Sequence, residues 1–420
     1  MGPFKPLPYE FVDDASTAAG PSRVSDNANN VAAGVDVSTV EPDVRYLAAP
    51  ELQGRLRGTE GNARARAYIV ASLKAAGLAP FFGDGFEQPT YPDGRDSEPY
   101  AVNVGAIYRA SEPDARWIVL VAHYDHRGVL RGKVQAGADD NASSVALVLA
   151  LGHSLGRLRP HLRRHIVLFF PDAEEPPDVR TERMGSSWFW RHPPLPADRL
   201  DLALVFDLMG GRASPEIRAA GLADALFVLG AEADPGLVSL VRDLAPAARV
   251  EPVRLSLPMI EVMPYRPGSR FARSDYHGLR EQGRRPFLFL TTGRTETYHT
   301  AADTPDTVDY DRLRALSRWV ARLAGPARRR AHGRALAAEA LRRARHERAR
   351  PLALASRPGR GSAARREAAR ELGSGREPDP QELSRAAAGL DPSSGGAVAS
   401  LGVVVHAVVG CSLESREPRS

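Results

Sequence analysis

Cysteine is nearly absent from this chain: Cys411 is the only one in 420 residues. That excludes an intrachain disulfide and any metal module built on several thiolates. Long apolar runs are missing too. No stretch reaches the roughly 18 apolar residues that a membrane-spanning helix needs, and the late run from Val403 to Cys411 is too short. The opening Met1-Gly2-Pro3-Phe4-Lys5-Pro6 lacks the apolar centre of a secretory signal. As written, the chain therefore reads as cytoplasmic. No internal repeat is visible, and nothing in the sequence speaks to oligomeric state. The apolar share of 43% and the charged share of 25% are ordinary for a globular protein. The net charge is only +5, and much of the basic excess follows residue 327.

Composition divides the chain in three. Residues 1–40 are small and polar and read as a mobile arm. From 327 to 420, Arg328-Arg329-Arg330 opens an Arg- and Ala-rich stretch, then Gly, Ser and Pro dominate. With little apolar face to bury, this part reads as a disordered tail. Its charge reads as solvated surface rather than as a contact for nucleic acid or a membrane.

Residues 41–326 carry the periodic patterns. A helix starts near Val40 and runs through Val44 and Leu47. After a Gly-rich turn, Ala65, Ile69, Leu73 and Ala76 fall at helical spacing, and Gly77 ends the pattern. Strand runs follow at 101–108, 117–122, 165–170, 202–206 and 287–290, with a weaker one at 226–229. Helices are expected at 142–156 and 307–323. Strands alternating with helices point to an α/β domain whose central sheet is mixed but mostly parallel.

Several strand runs lead into a His or a carboxylate. The run at 117–122 leads into His123-Tyr124-Asp125, and the one at 165–170 into Asp172-Ala173-Glu174-Glu175. The run at 202–206 ends in Asp207, and the one at 287–290 precedes Tyr298-His299. Asp140 opens the helix after the first. In a parallel sheet these ends share one rim, where open α/β sheets bind ligands. Carboxylates crowded there stay ionised only with cations between them. Imidazole and carboxylate suit zinc, and a shared carboxylate suits a pair of ions. Each residue alone has a plainer reading. His123 would be a packed His, Asp140 and Asn141 a helix cap, Glu174-Glu175 an exposed pair, and Asp207 a helix start. Together they would require five coincidences in sequence.

The ordered set His123-x-Asp125, Gly137-Ala138-Asp139-Asp140-Asn141-Ala142-Ser143, Ala173-Glu174-Glu175, Phe206-Asp207-Leu208-Met209, Ser274-Asp275-Tyr276-His277 and Tyr298-His299-Thr300 resembles the di-zinc aminopeptidases of peptidase clan MH. That group includes bacterial leucyl-type aminopeptidases, with glutaminyl cyclases as one-zinc relatives. The resemblance covers about Glu41 to Leu323. It implies the phosphorylase/hydrolase-like three-layer α/β/α fold of zinc exopeptidases and two zinc ions per chain. Asp140 would bridge them, with the Asp140–Asn141 peptide cis. His123 and Asp207 would complete one site, Glu175 and His299 the other. Glu174 would be the general base, and Tyr298 a donor to the developing oxyanion. Asp125 would hydrogen-bond the far nitrogen of His123, and Asp275 would support the site without binding metal. The implied substrate is a peptide with a free amino terminus. Relatives of this kind are often secreted or periplasmic.

His126, His153, His161, His165, His192 and His277 match no ligand position and read as structural or surface. Two departures stand out. A longer link, Pro176 to Met184, separates the acid pair from Gly185-Ser186-Ser187, and Leu279 stands where relatives often carry Phe. Both bear on the substrate pocket. Other readings remain: a one-zinc cyclase, an inactive binding module on the same fold, and a deacylase-type amidohydrolase or carboxypeptidase. The last usually inserts a dimerisation domain, for which the Asp207–His299 interval leaves little room.

Overall fold

Strands buried on both faces need apolar side chains at every position, and this explains the unbroken runs. β4 (Trp117–Val121), β7 (His165–Phe170), β8 (Leu200–Phe206) and β11 (Phe287–Thr291) form the parallel centre of the sheet, ordered β7-β4-β8-β11. β3 (Ala101–Tyr108) flanks β7 antiparallel, with the short β1 (Ala79–Pro80) and β2 (Glu87–Thr90) paired to it. On the other side β9 (Ala225–Leu229) runs antiparallel to β11, and β10 (Glu251–Leu255) runs parallel to β9. A separate hairpin joins β5 (Val129–Leu130) to β6 (Lys133–Val134). The computed structural model describes residues 31–324 except 95–97, 113, 159–161, 180, 232–233, 243–245, 256–273 and 282–284. The tail and His161 lie outside the described residues.

Successive side chains leave the sheet on opposite faces. Ile118, Leu120, Leu168, Leu204 and Leu288 enter a core covered by α1 (Val40–Leu47), α2 (Glu60–Ala75), α3 (Ser144–Leu158) and α8 (Tyr310–Ala324). Leu237 and Val241 of α6 (Pro235–Arg242) join that core. Val119, Val121, Val167, Phe169 and Val205 enter a second core. There they meet Phe189 and Trp190 of α4 (Gly185–Arg191), Ile217 of α5 (Pro215–Ala219) and Leu279 of α7 (His277–Glu281). The result is the expected three-layer α/β/α arrangement with a mixed, mostly parallel sheet.

The domain begins earlier than its sequence pattern. Val31, Val35 and Val37, assigned above to the arm, are buried in the first core, and the Asp36 amide donates to Ser154 Oγ at 2.9 Å. Three valines scattered among small polar residues lack a period, so the packing is invisible until α3 is placed beside them. The helix expected at 142–156 is preceded by a wide, irregular winding over Ala138–Ser143 in which Asp140 and Asn141 leave helical geometry. Between Asp207 and His299 the described residues form core strands and short helices, with no added domain among them. Leu279, the departure from the Phe of relatives, is fully buried against the second core.

Leu204 sits in the middle of the sheet and is fully buried. Leu204→Ala is expected to destabilise the domain by about 2–5 kcal/mol, read as a fall in the urea midpoint at unchanged slope.

Candidate metal centre

The four parallel strands end side by side, and their following residues converge. Pairing between β4 and β7 continues past the strands, with Ala122 N–H donating to Phe169 O and Tyr124 N–H to Pro171 O. This fixes His123 opposite the acid pair. Ala173 takes a left-handed conformation at φ 61°, which turns Glu174 and Glu175 back over the rim. Asp207 N–H donates to Leu290 O, carrying β8–β11 pairing one residue beyond the sheet.

Asp140 faces both imidazoles. Its Oδ1 lies 3.6 Å from His123 Nε2, and its Oδ2 lies 3.1 Å from His299 Nε2. His123 Nε2 is also 3.8 Å from Asp207 Oδ1 and 3.8 Å from Glu174 Oε2. His299 Nε2 is 3.1 Å from Glu175 Oε2. Two donors sharing one tetrahedral ion with bonds of about 2.0–2.2 Å stand about 3.4 Å apart, so these separations suit a cation in each half. The buried His123 Nε2 has no hydrogen-bond partner, and Glu175 Oε1 has only the His126 imidazole beside it. Orphaned buried donors and acceptors are costly, and divalent ions would satisfy them. All five expected donors are therefore together. Glu174 and Glu175 are buried, not an exposed pair, and Asn141 does not cap α3. Its amide instead donates to Phe206 O at 3.0 Å while its oxygen accepts from Leu208 N–H. The Asp140–Asn141 peptide is cis.

The charge balance of the cluster is unusual. Burial drives the Glu174 carboxyl well above its usual range, with Asp207, Asp275 and Glu175 adding to the rise and His123 opposing it. Burial also raises Asp207 and pushes Asp275 up to about 7. Glu175 goes the other way: burial works against its charge, but His126 and His299 together hold it well below the normal range. Burial opposes charge on His299 as well, yet Glu175 and Asp140 bring it up to about 9. Burial keeps the Tyr298 phenol protonated far above its usual pKa. Its ring stacks on His299 with centroids 3.9 Å apart, and Arg294 lies 4.3 Å above the other partner of that pair, the Tyr298 ring.

Asp125 acts differently from the expectation. Its carboxylate is 3.6 Å from His123 Nδ1, outside hydrogen-bond range. Its two oxygens instead accept from the backbone amides of Glu174 and Glu175, each at 3.1 Å. The amides of a tight left-handed turn point inward and need an acceptor, and Asp125 supplies it. The backbone carbonyl of Asp125 is the group that faces His123 Nδ1, at 3.3 Å. Asp275 is buried beside the site, and its neighbour Ser274 donates to Asp207 Oδ2 at 3.0 Å.

Three residues escaped the sequence reading. His126 is fully buried, with Nδ1 2.7 Å from Glu175 Oε1 and 4.0 Å from Asp140 Oδ2. It therefore belongs with Asp140 and Glu175 as a possible donor rather than with surface histidines. The signal was its place three residues after His123 on a loop already assigned to the site. Asp303 accepts from the amides of Asp139 and Asp140 at 2.8 and 3.1 Å and fixes the loop that presents Asp140. Arg55 is fully buried beneath the loops that carry His123 and Asp140. The remaining histidines sit elsewhere: His153 contacts Ser72, and the His165 ring packs tilted against Trp117, with centroids 4.5 Å apart. The long link after Glu175 folds back on itself. Asp178 N–H donates to Glu175 O, and its carboxylate accepts from Arg57 at 2.9 Å and from the Tyr100 hydroxyl.

The sequence profile of peptidase family M28 matches residues 103–324. No curated protein matches the chain by sequence. Several solved structures share the fold. LapB from Legionella pneumophila superposes with a TM-score of 0.54 at 15% identity, over 72% of this chain and 75% of that one. Porphyromonas gingivalis glutaminyl cyclase gives 0.53 at 20% identity, over 69% and 98%. A leucine aminopeptidase precursor from Bacteroides thetaiotaomicron gives 0.50 at 16% identity, over 69% and 97%. At such identities the likeness is one of architecture.

A cluster of buried acids without counter-ions disfavours the folded state, so a divalent cation that binds it must stabilise the fold. Zinc at about a hundredfold excess over its dissociation constant contributes about 2.7 kcal/mol. Metal-stripped protein titrated with zinc should therefore gain roughly 5–10 °C in melting temperature, followed by circular dichroism. An unchanged midpoint would count against a cation site.

Proposed function

Because the chain belongs to peptidase family M28, we propose that it is a zinc-dependent aminopeptidase, hydrolysing the bond that follows the first residue of a peptide. One observation carries this reading: the two oxygens of Asp140 face different imidazoles, His123 and His299, with Glu174 beside the first of them. One carboxylate addressing two nitrogen donors is the arrangement of a two-ion centre. His123 and Asp207 would hold one zinc ion with Asp140. Glu175 and His299 would hold the second.

Zinc bound there supplies Lewis acidity, lowering the pKa of a water to about 7 and polarising a carbonyl. The chain's own groups do the rest. Glu174, whose Oε2 lies 3.8 Å from His123 Nε2, takes the proton from the attacking water and returns it to the departing amine. The Tyr298 hydroxyl stays protonated and donates to the carbonyl oxygen as negative charge grows on it. A substrate's free α-ammonium pairs with the acidic wall formed by Asp207 and Glu174. That pairing restricts cleavage to the amino end, since a blocked terminus brings no charge to match the wall.

The test uses zinc-loaded protein and a panel of aminoacyl-p-nitroanilides, free and Nα-acetylated, with glutaminyl peptides as a further arm. Free substrates should be cleaved and acetylated ones resisted. Equal turnover of both would remove the exopeptidase reading, and cyclisation of glutaminyl peptides without hydrolysis of the others would replace it. Glu174→Gln should lower kcat about 10²–10⁴-fold at unchanged zinc stoichiometry. Tyr298→Phe should lower kcat about 10²–10³-fold with KM nearly unchanged.

A further inference from the structure

Arg55 is a fully buried arginine, and among the described residues it meets no carboxylate directly. Its guanidinium donates only to backbone carbonyls. Nε reaches Tyr124 O at 2.9 Å, between His123 and Asp125. Nη1 and Nη2 reach Ala136 O at 2.7 Å and Gly137 O at 3.0 Å, just ahead of Asp140. Nη1 also donates to Leu47 O at the end of α1. The backbone around Arg55 ties the same loops from its own side. His126 N–H donates to Arg55 O and Gly128 N–H to Gly54 O. Gln53, Gly54 and Arg55 form a left-handed run with φ of 47°, 70° and 50°. A Cβ on Gly54 would lie 2.3 Å from Gln135 O and 2.6 Å from Gly128 O, so the turn is pressed against the loops it joins.

We propose that Arg55 is a positioning residue that sets how the shared carboxylate of Asp140 is presented to His123 by bolting the His123 loop to the Asp140 loop. This rests on the reading of those loops as zinc-binding. A buried guanidinium is an expensive way to satisfy four carbonyls, and only its planar fan of donors can reach three chain segments at once. Lysine presents a single ammonium and cannot span them. Arg55 also brings positive charge beneath the cage, where Asp303, Asp125, Asp140 and Glu175 hold up a guanidinium that burial alone lowers. The family profile starts at residue 103, so this clamp comes from chain outside the part that supplies the donors.

The experiment uses the full chain with cobalt(II) as the probe. Stepwise titration reads each affinity, and electron paramagnetic resonance of the two-cobalt protein reads spin coupling, which depends on the spacing of the ions. R55K is expected to retain its far-ultraviolet circular dichroism, bind cobalt about 10–100-fold more weakly and show altered coupling. R55G is expected to lose more affinity and to regain part of it with millimolar guanidinium ion. R55K matching wild type in affinity and coupling would overturn the proposal, as would an R55G protein on which guanidinium has no effect. Wild type that takes up no cobalt would remove the metal reading itself, and this one with it.

Discussion

Like charges buried together are the constraint around which this molecule is arranged. Asp140, Glu174, Glu175 and Asp207 meet at one rim, with Asp139, Asp275 and Asp303 close behind in the interior. They are largely buried and so weakly screened by solvent, and each must be held where its neighbours would push it away. The parallel sheet provides the rigid frame, and backbone hydrogen bonds from side chains provide the fine adjustment. Asp125 holds the Glu174–Glu175 amides, Asp303 holds those of Asp139 and Asp140, and Asn141 links the bridging loop to the end of β8. Each of these residues works on main chain rather than on the donor atoms. Orientation is thus built into the peptide framework, where it is stiffest.

The proposed donors could be picked out in advance because of where they fall. A His or an acid in the loop that leaves a strand buried on both faces is carried to one rim by topology, and the loops after four parallel strands meet there. The supporting residues were not readable, for a different reason. Arg55 and Asp303 resemble surface charges in a linear sequence, since burial of a charge depends on partners far along the chain: Arg55 reaches Tyr124, Ala136 and Gly137. His126 was read as structural or surface because it matches no ligand position of the family, although it follows His123 by three residues on the same loop. For Asp125 the sequence named His123 Nδ1, which is 3.6 Å away, while its oxygens accept from the Glu174 and Glu175 amides, because a motif names neighbours without specifying which atom faces which. The valines before residue 40 and the short strands β1, β2 and β10 lacked the length that makes a period visible.

The α/β framework separates two tasks. The first core, closed by α1, α2, α3 and α8, stiffens the face beneath Asp140 and Arg55. The second, rich in the aromatic side chains of Phe169, Phe189, Trp190, Phe227 and Tyr276, supports the acid pair and Asp207. The metal-facing rim lies between them, so motion of one helical layer against the other would be felt as a change in donor spacing. Clamping residues therefore concentrate where loops from the two sides meet.

The link from Pro176 to Met184 begins at an acid of the cage yet closes on Arg57 and Tyr100, far along the chain from any donor. Apart from the Asp178 N–H bond to Glu175 O, its side-chain anchors lie outside the acid cluster. Such a segment can lengthen, shorten or be exchanged between homologues while the chemistry beneath it stays constant. For this reason, divergence of substrate preference among descendants of this scaffold has an inexpensive route, and grafting experiments have a natural splice point.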